Sequence, residues 1–141
     1  MAATPDHATA LVVDASVLCS ILLLEDRADE AAERLGRRRL FAPPVLPFEV
    51  MNAMCRSMRR SLRDHGDTAQ RRDAFAAAVS RYDAFRVELV DVAQARILRR
   101  ALQHDLSVYD ASYLELATWL DLELVTFDDR LRAAYDASRS R

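Results

Sequence analysis

Four short apolar runs, each too brief for a helix and each followed by a long stretch with helical spacing, restrict this chain more than any other feature. Leu11-Val12-Val13, Leu40-Phe41-Ala42, Val87 to Val90 and Leu122 to Val125 read as strands. Ala15 to Leu24 reads as a helix that Asp14 or Ser16 can cap, and Asp26 to Arg38 as a polar helix stopped by Gly36 and an arginine cluster. Pro43 and Pro44 break the second run, and Pro47 sits where a first helical turn tolerates proline, so Phe48 to Leu62 is expected as a long helix. After a turn at His65-Gly66-Asp67, the helices expected are Asp67 to Phe85, Asp91 to His104, Tyr109 to Leu120 and Asp128 to Tyr135, with a break at Asp105 to Ser107. Strands that alternate with helices form a mainly parallel sheet covered on both faces. The fold class is therefore α/β, a three-layer sandwich around a sheet of four or five strands.

A length of 141 residues is that of one domain, and no linker, repeat or low-complexity segment divides it. The core is expected over about 11–135, with the N-terminal decapeptide and the Arg/Ser tail peripheral. Residues 1–10 lack a positively charged leader region, and the apolar run Val17 to Leu24 falls far short of the ~20 residues a bilayer requires, so a cytoplasmic protein without membrane contact is expected. Cys19 and Cys55 are too few for a disulfide framework and fall in apolar helical stretches, where reduced core residues are expected.

Two absences narrow the chemistry. All 20 basic residues are arginine, which excludes Schiff-base catalysis and a phosphate-binding P-loop lysine. The only glycines, Gly36 and Gly66, stand in no nucleotide-cradling motif. The formal net charge of −2 argues against a strongly basic coat but leaves room for a local basic patch.

In α/β sheets the ligand site lies at the carboxyl ends of the strands. Asp14 directly follows the first strand, Asp128 lies three residues past Val125, Glu49 sits in the first turn of the helix after the second strand, and Asp110 opens a helix. Taken singly, the three aspartates have a plainer account as helix caps or first-turn charges worth ~1 kcal/mol, and Glu49 as a solvated helix charge. Taken together, four acids at one sheet end repel one another by several kcal/mol unless protons or cations neutralise them. A carboxylate set without His or Cys at ligand spacing suits Mg²⁺ or Mn²⁺ rather than zinc; His7, His65 and His104 have no such spacing. Metals held by carboxylates activate water and orient a phosphodiester without lysine or a glycine loop.

The four acids also sit in recognisable surroundings. Val12-Val13-Asp14-Ala15-Ser16-Val17-Leu18, Pro47-Phe48-Glu49-Val50-Met51-Asn52, Ser107-Val108-Tyr109-Asp110-Ala111-Ser112-Tyr113-Leu114 and Val125-Thr126-Phe127-Asp128-Asp129-Arg130-Leu131 resemble, in family order, the acidic motifs of PIN domains. The resemblance covers about Leu11 to Leu131 and is nearest to the toxin half of VapBC toxin–antitoxin pairs. It implies a PIN-like fold and an endoribonuclease with catalytic Asp14, Glu49, Asp110 and Asp128, of which Asp14, Asp110 and Asp128 bind Mg²⁺ or Mn²⁺. It further implies Ser16, Asn52 and Thr126 as supporting or phosphate contacts, a VapB-type antitoxin laid over the acidic pocket, and a homodimer. Where the family often has a basic residue after the last acid this chain has Asp129; the spacing from Thr126 favours Asp128 for the role. The resemblance leaves two competing readings, a catalytically silent module docking an Arg-bearing partner and a housekeeping nuclease without antitoxin. A phosphatase with Asp14 as nucleophile is weaker, for want of an aspartate at position 16 and of any lysine.

Arg56, Arg59, Arg60 and Arg63 recur at helical spacing on the Glu49 helix. They either complement the helix C-terminus and keep the surface soluble, or form a track for RNA phosphates starting ~10 Å from Glu49 along the axis. Met51, Met54 and Met58 form a second stripe, expected as core or else as a dimer or antitoxin groove. Tyr113 and Trp119 are expected as core or dimer contacts rather than base-stacking platforms.

Overall fold

A computed structural model describes residues 9–140. Its strands are β1 (Ala10–Val13), β2 (Arg39–Ala42), β3 (Val87–Leu89) and β4 (Glu123–Val125). Between and after them run α1 (Ala15–Leu22), α2 (Ala28–Leu35), α3 (Leu46–His65), α4 (Ala69–Ala84), α5 (Gln94–His104), α6 (Val108–Leu120) and α7 (Asp129–Arg139). The strands form one parallel sheet in the order β3-β2-β1-β4, with Leu11 opposite Leu40, Val13 opposite Val125 and Leu40 opposite Val87.

The burial of each strand follows from its place in the sheet. β1 is central, and all four of its residues are buried, which is why its sequence is an unbroken apolar run with no polar alternation. β3 is an edge strand, and its Glu88 and Leu89 are exposed. The chain proceeds outward from β1 through β2 to β3, then crosses back to place β4 on the other side of β1. Right-handed crossovers then require α1 to α4 and the pair α5 and α6 to cover opposite faces. The contacts agree: α1 packs with α2, α3 and α4, whereas α6 packs with α5, α7, β1 and β4. The reversal of direction between β1 and β4 is the switch point at which open α/β sheets form a crevice.

Several boundaries differ from those expected, for local reasons. α5 starts at Gln94 rather than Asp91, because Val90 still donates its N–H to Ala42 as an extension of the sheet and Val92 packs on the core. α7 continues to Arg139, where the sequence suggests a loose tail; Arg139 donates to the Tyr135 hydroxyl, and that hydroxyl donates to the carbonyl of Leu122. Ala10, the end of the supposedly peripheral decapeptide, is fully buried in β1, and residues 1–8 lie outside the described residues. With only two glycines in the chain, Asp105 and Asp121 adopt the left-handed conformation that ends α5 and α6.

Cys55, expected as core, and Met51 and Trp119, expected as core or as contacts with another chain, are all exposed. The buried face of α3 is Leu46, Val50 and Met54, a four-residue repeat that carries Met51 and Cys55 round to solvent. Met58 is half-buried. Tyr113 is fully buried in the α6 run 111–117, whereas Trp119, near the helix end, is 55% exposed. No helix among the described residues is long and apolar enough to cross a membrane.

Candidate active site

The carboxyl ends of β1 and β4 open into a cleft of about 1100 Å³. Asp14, Glu49, Asp110 and Asp128 all line it, together with Ser16, Asn52, Arg56 and Arg60. The fold thus brings the four acids together from β1, α3, α6 and the β4–α7 junction. Thr126, Arg59 and Arg63 do not line the cleft.

Asp14 is the most constrained of the acids. Its backbone N–H donates to Val125 at 3.0 Å, which extends the β1–β4 ladder by one bond and fixes the residue at the switch point. Although it stands at the N-cap position of α1, its side chain makes no cap bond. Its Oδ2 instead accepts from the Ser16 hydroxyl at 2.6 Å and from the Thr126 hydroxyl at 2.7 Å. Those hydroxyl oxygens in turn accept the backbone N–H groups of Phe127 and Asp128, each at 3.0 Å. Thr126 therefore acts from beneath the cleft, buried, by tying β4 to the Asp14 carboxylate.

The other aspartates do serve their helices. Asp128 Oδ1 accepts the N–H of Leu131 and caps α7. Asp110 belongs to a Ser-x-x-Asp start of α6, where Ser107 caps by accepting the Asp110 N–H. Asp129 is the first residue of α7 and does not line the cleft.

None of the four acids forms an ion pair among the described residues. The electrostatic consequence falls on the protonation of Asp14, Glu49 and Asp110. Burial raises the pKa of Asp14, and the Asp128 charge adds to it against the Ser16, Thr126 and Ala15 hydrogen bonds. Burial also raises Glu49, with the charges of Asp14 and Asp110 adding and Tyr113 opposing. Asp110 is raised by burial and then by the charges of Asp14 and Asp128. Glu49 Oε1 is buried without a hydrogen-bond partner. Cys19, on the cleft wall, is held as a neutral thiol, its pKa pushed up to about 12 by burial.

A divalent cation would relieve this repulsion. The available donors are carboxylate and hydroxyl oxygens, with no histidine among the described residues of the lining, a set that fits a hard cation. Among the described residues no three His, Cys, Asp or Glu side chains stand close enough to enclose a metal ion. Mg²⁺ does not require such a cage, since it commonly takes one or two carboxylates and completes its shell with water and substrate phosphate.

The four motifs and the resulting cleft have counterparts in known proteins. Residues 11–137 match the sequence profile of the PIN domain. The chain belongs to the PIN-domain family. It is similar to a protein named Ribonuclease VapC3 from Pyrobaculum aerophilum, with 28% identity over 132 residues covering 90% of this chain and 95% of that protein. It is also similar to a Ribonuclease VapC3 from Mycobacterium tuberculosis, with 30% identity over 138 residues covering 92% and 90% of the two chains. A crystal structure of a Pyrobaculum aerophilum protein superposes with a TM-score of 0.67 at 28% identity, over 90% of this chain and 80% of that one.

Sequence reasoning overlooked part of this PIN-domain cleft. Arg27, Phe48, Tyr109 and Phe127 line it, and Tyr113 is buried close enough to Glu49 to influence its charge. Tyr109 stands beside Asp110 in the third motif, Phe127 fills the open place of Thr-x-Asp in the last, and Arg27 lies in no motif, so the folded chain is needed to show that they share one cleft wall.

Proposed function

We propose that this chain is a metal-dependent endoribonuclease and the toxin component of a toxin–antitoxin pair, with Asp14, Glu49, Asp110 and Asp128 as its catalytic acids. The observation that carries the reading is the buried Asp14 carboxylate. It is saturated by hydroxyls on one oxygen, has no counter-cation among the described residues, and shares a cleft with three further acids. The names of the two relatives support RNA as the substrate.

Hydrolysis adds water across the phosphodiester: the water oxygen bonds to phosphorus, and the 3′ oxygen departs and takes up a proton. The products carry a 5′-phosphate and a 3′-hydroxyl. Mg²⁺ or Mn²⁺, held by Asp14, Asp110 and Asp128, would supply charge neutralisation and an activated water. Glu49, with a free buried oxygen and a raised pKa, is suited to orient that water and take its proton. Ser16 and Thr126 keep Asp14 in one orientation. Asn52, Arg56 and Arg60 lie where RNA phosphates would run.

The partners proposed are a VapB-type antitoxin and a second copy of the chain, both on the resemblance to VapC toxins, and the cytoplasm is the compartment in which they meet. That no preformed metal cage stands among the described residues favours a second reading, a silent PIN-like module whose acids dock an Arg-bearing protein. Incubating a panel of structured and unstructured RNAs with the protein in Mg²⁺, Mn²⁺ or EDTA, beside an Asp14→Asn variant, separates the two. Cleavage that needs the metal and is lost in the variant supports the nuclease. If no RNA is cut and calorimetry detects no metal binding, the docking module is the better reading.

A further inference from the structure

One wall of the cleft is built in a way the hydrolysis itself does not require. Arg27 follows Leu24, which is held with φ of 52° in the left-handed region, and the turn directs residues 25–27 to the cleft rim. The Arg27 guanidinium lies over the Phe127 ring, 3.6 Å from its centroid. Its rotation is fixed by a two-pronged ion pair, Nε to Glu30 Oε2 and Nη2 to Glu30 Oε1, both at 2.9 Å. The underlying ring is anchored as well. The Phe127 N–H donates to Ser16 Oγ, which donates to Asp14, so two hydrogen bonds connect the stack to the central carboxylate.

This arrangement is poorly suited to hold a phosphate. Glu30 already neutralises the guanidinium and Asp129 adds a second negative charge nearby, so little net attraction remains for an anion. What remains available is a flat surface. About half of the Arg27 side chain is exposed, and one face of the guanidinium is taken by the ring. Unstacked RNA bases pack on such guanidinium planes and on aromatic rings, which accept any base because every base has a π face. Arg56 and Arg60, also on the cleft lining, are in no ion pair among the described residues and so keep the charge that would attract a phosphate.

We propose that the Arg27–Phe127 stack is the base-stacking platform of the cleft, holding one splayed RNA base beside the acids and so selecting single-stranded RNA. The platform rests on the ribonuclease reading for its place in catalysis, but it makes its own claim on binding. Arg27 is a positioning residue in this scheme.

The test uses a short single-stranded oligoribonucleotide of mixed sequence in which one abasic riboside is moved stepwise along the chain. Fluorescence anisotropy in Ca²⁺ reads binding, and gel analysis in Mg²⁺ reads cleavage, for the wild type and for Arg27→Ala, Arg27→Lys and Phe127→Leu. With the wild type, base loss at one position is expected to weaken binding roughly 5- to 150-fold, the effect of losing one stacked base. Arg27→Ala is expected to weaken binding of intact RNA by a similar factor and to abolish the sensitivity at that position. Arg27→Lys keeps the charge without the plane, and is expected to behave like the alanine variant. The platform is overturned if no position is sensitive, if Arg27→Ala keeps the wild-type ratio of intact to abasic binding, or if lysine restores it.

The two readings fail separately. Cleavage without dependence on Arg27 removes the platform and leaves the nuclease. Base-dependent binding through Arg27 without cleavage supports the platform and removes the nuclease. A wild-type protein that binds no RNA overturns both.

Discussion

Asp14 and Glu115 are buried to nearly the same degree, 4% and 5% exposed, on opposite sides of one question about charge. Glu115, in the middle of α6, is held by Arg100 of α5 at 2.7 Å, with Arg96 at 3.7 Å. Asp14 has two neutral hydroxyls, no cation among the described residues, and three other acids in the same cleft. A buried acid with its counter-charge in place serves packing, since pair and desolvation roughly cancel. A buried acid without one stores unfavourable energy that a ligand of opposite charge can release. The distinction is between partners, not between degrees of burial.

Replacing Asp14 is the strongest challenge to this contrast. Asp14→Asn keeps both hydroxyl contacts within reach while removing the charge, and should lower kcat/KM on a cleaved RNA by roughly 10³-fold, about 4 kcal/mol. The same substitution should stabilise the protein at neutral pH in EDTA. The pKa of Asp14 is raised in the folded state. Its favourable contribution is therefore complete below the unfolded value of about 3.9 and is lost as pH rises through the folded value. Thermal midpoints of the two proteins should nearly coincide near pH ~4 and separate toward pH 7, with the variant higher and Mg²⁺ raising the wild type alone. A constant difference across that range would contradict the stored cost of burying this charge beside Asp128.

The opposite behaviour is expected at α5–α6. Arg100→Ala leaves Glu115 buried with only the longer Arg96 contact, and should cost about 2–3 kcal/mol of stability, less than a fully enclosed pair would. Denaturation should show the loss while kcat/KM per folded molecule stays at the wild-type value. Replacing both partners, Arg100→Leu with Glu115→Leu, should recover most of the stability. If the single variant instead lost activity without unfolding, Glu115 would belong with the functional acids.

A smaller effect separates support from chemistry within the cleft. Thr126→Val removes one of the two hydroxyls on Asp14 and leaves the Asp128 N–H without its acceptor. It should cost about 1–2 kcal/mol of stability and lower kcat roughly tenfold through a misplaced carboxylate, tenfold being about 1.4 kcal/mol. Thr126→Ser should restore both. Full activity in Thr126→Val would mean that Ser16 alone orients Asp14.

Much of this could be read in the sequence, unevenly. The central strand and the acids were legible because both are local: an uninterrupted apolar run specifies a strand buried on both faces, and an acid right after it must lie at the sheet's carboxyl end. Single-residue reasoning was half right about capping, since Asp128 does cap α7 while Asp14 leaves its helix uncapped and turns to β4. Cys55 is exposed where core was expected, and of the two places open to Met51 and Trp119 the core is the one they do not take, because apolar character does not say which side of a helix meets the sheet. Arg27 over Phe127 was not legible at all, being a contact between residues a hundred positions apart with no repeating pattern to signal it.

The arginine stripe on α3 gives the smallest and most discriminating effect. Arg56, Arg59, Arg60 and Arg63 look equivalent in sequence, yet only Arg56 and Arg60 line the cleft; Arg59 and Arg63 are exposed elsewhere on the helix. If the cleft holds single-stranded RNA, each cleft arginine releases about 0.7 of a counterion, so Arg56→Ala with Arg60→Ala should flatten the log Kd against log salt slope by roughly 1.4. Arg59→Ala with Arg63→Ala should leave the slope unchanged, because a solvated charge outside the path contributes only diffuse attraction that physiological salt screens. Equal flattening by both pairs would show that RNA follows the whole helix rather than the cleft, and would move the boundary between structural and functional charge out to His65.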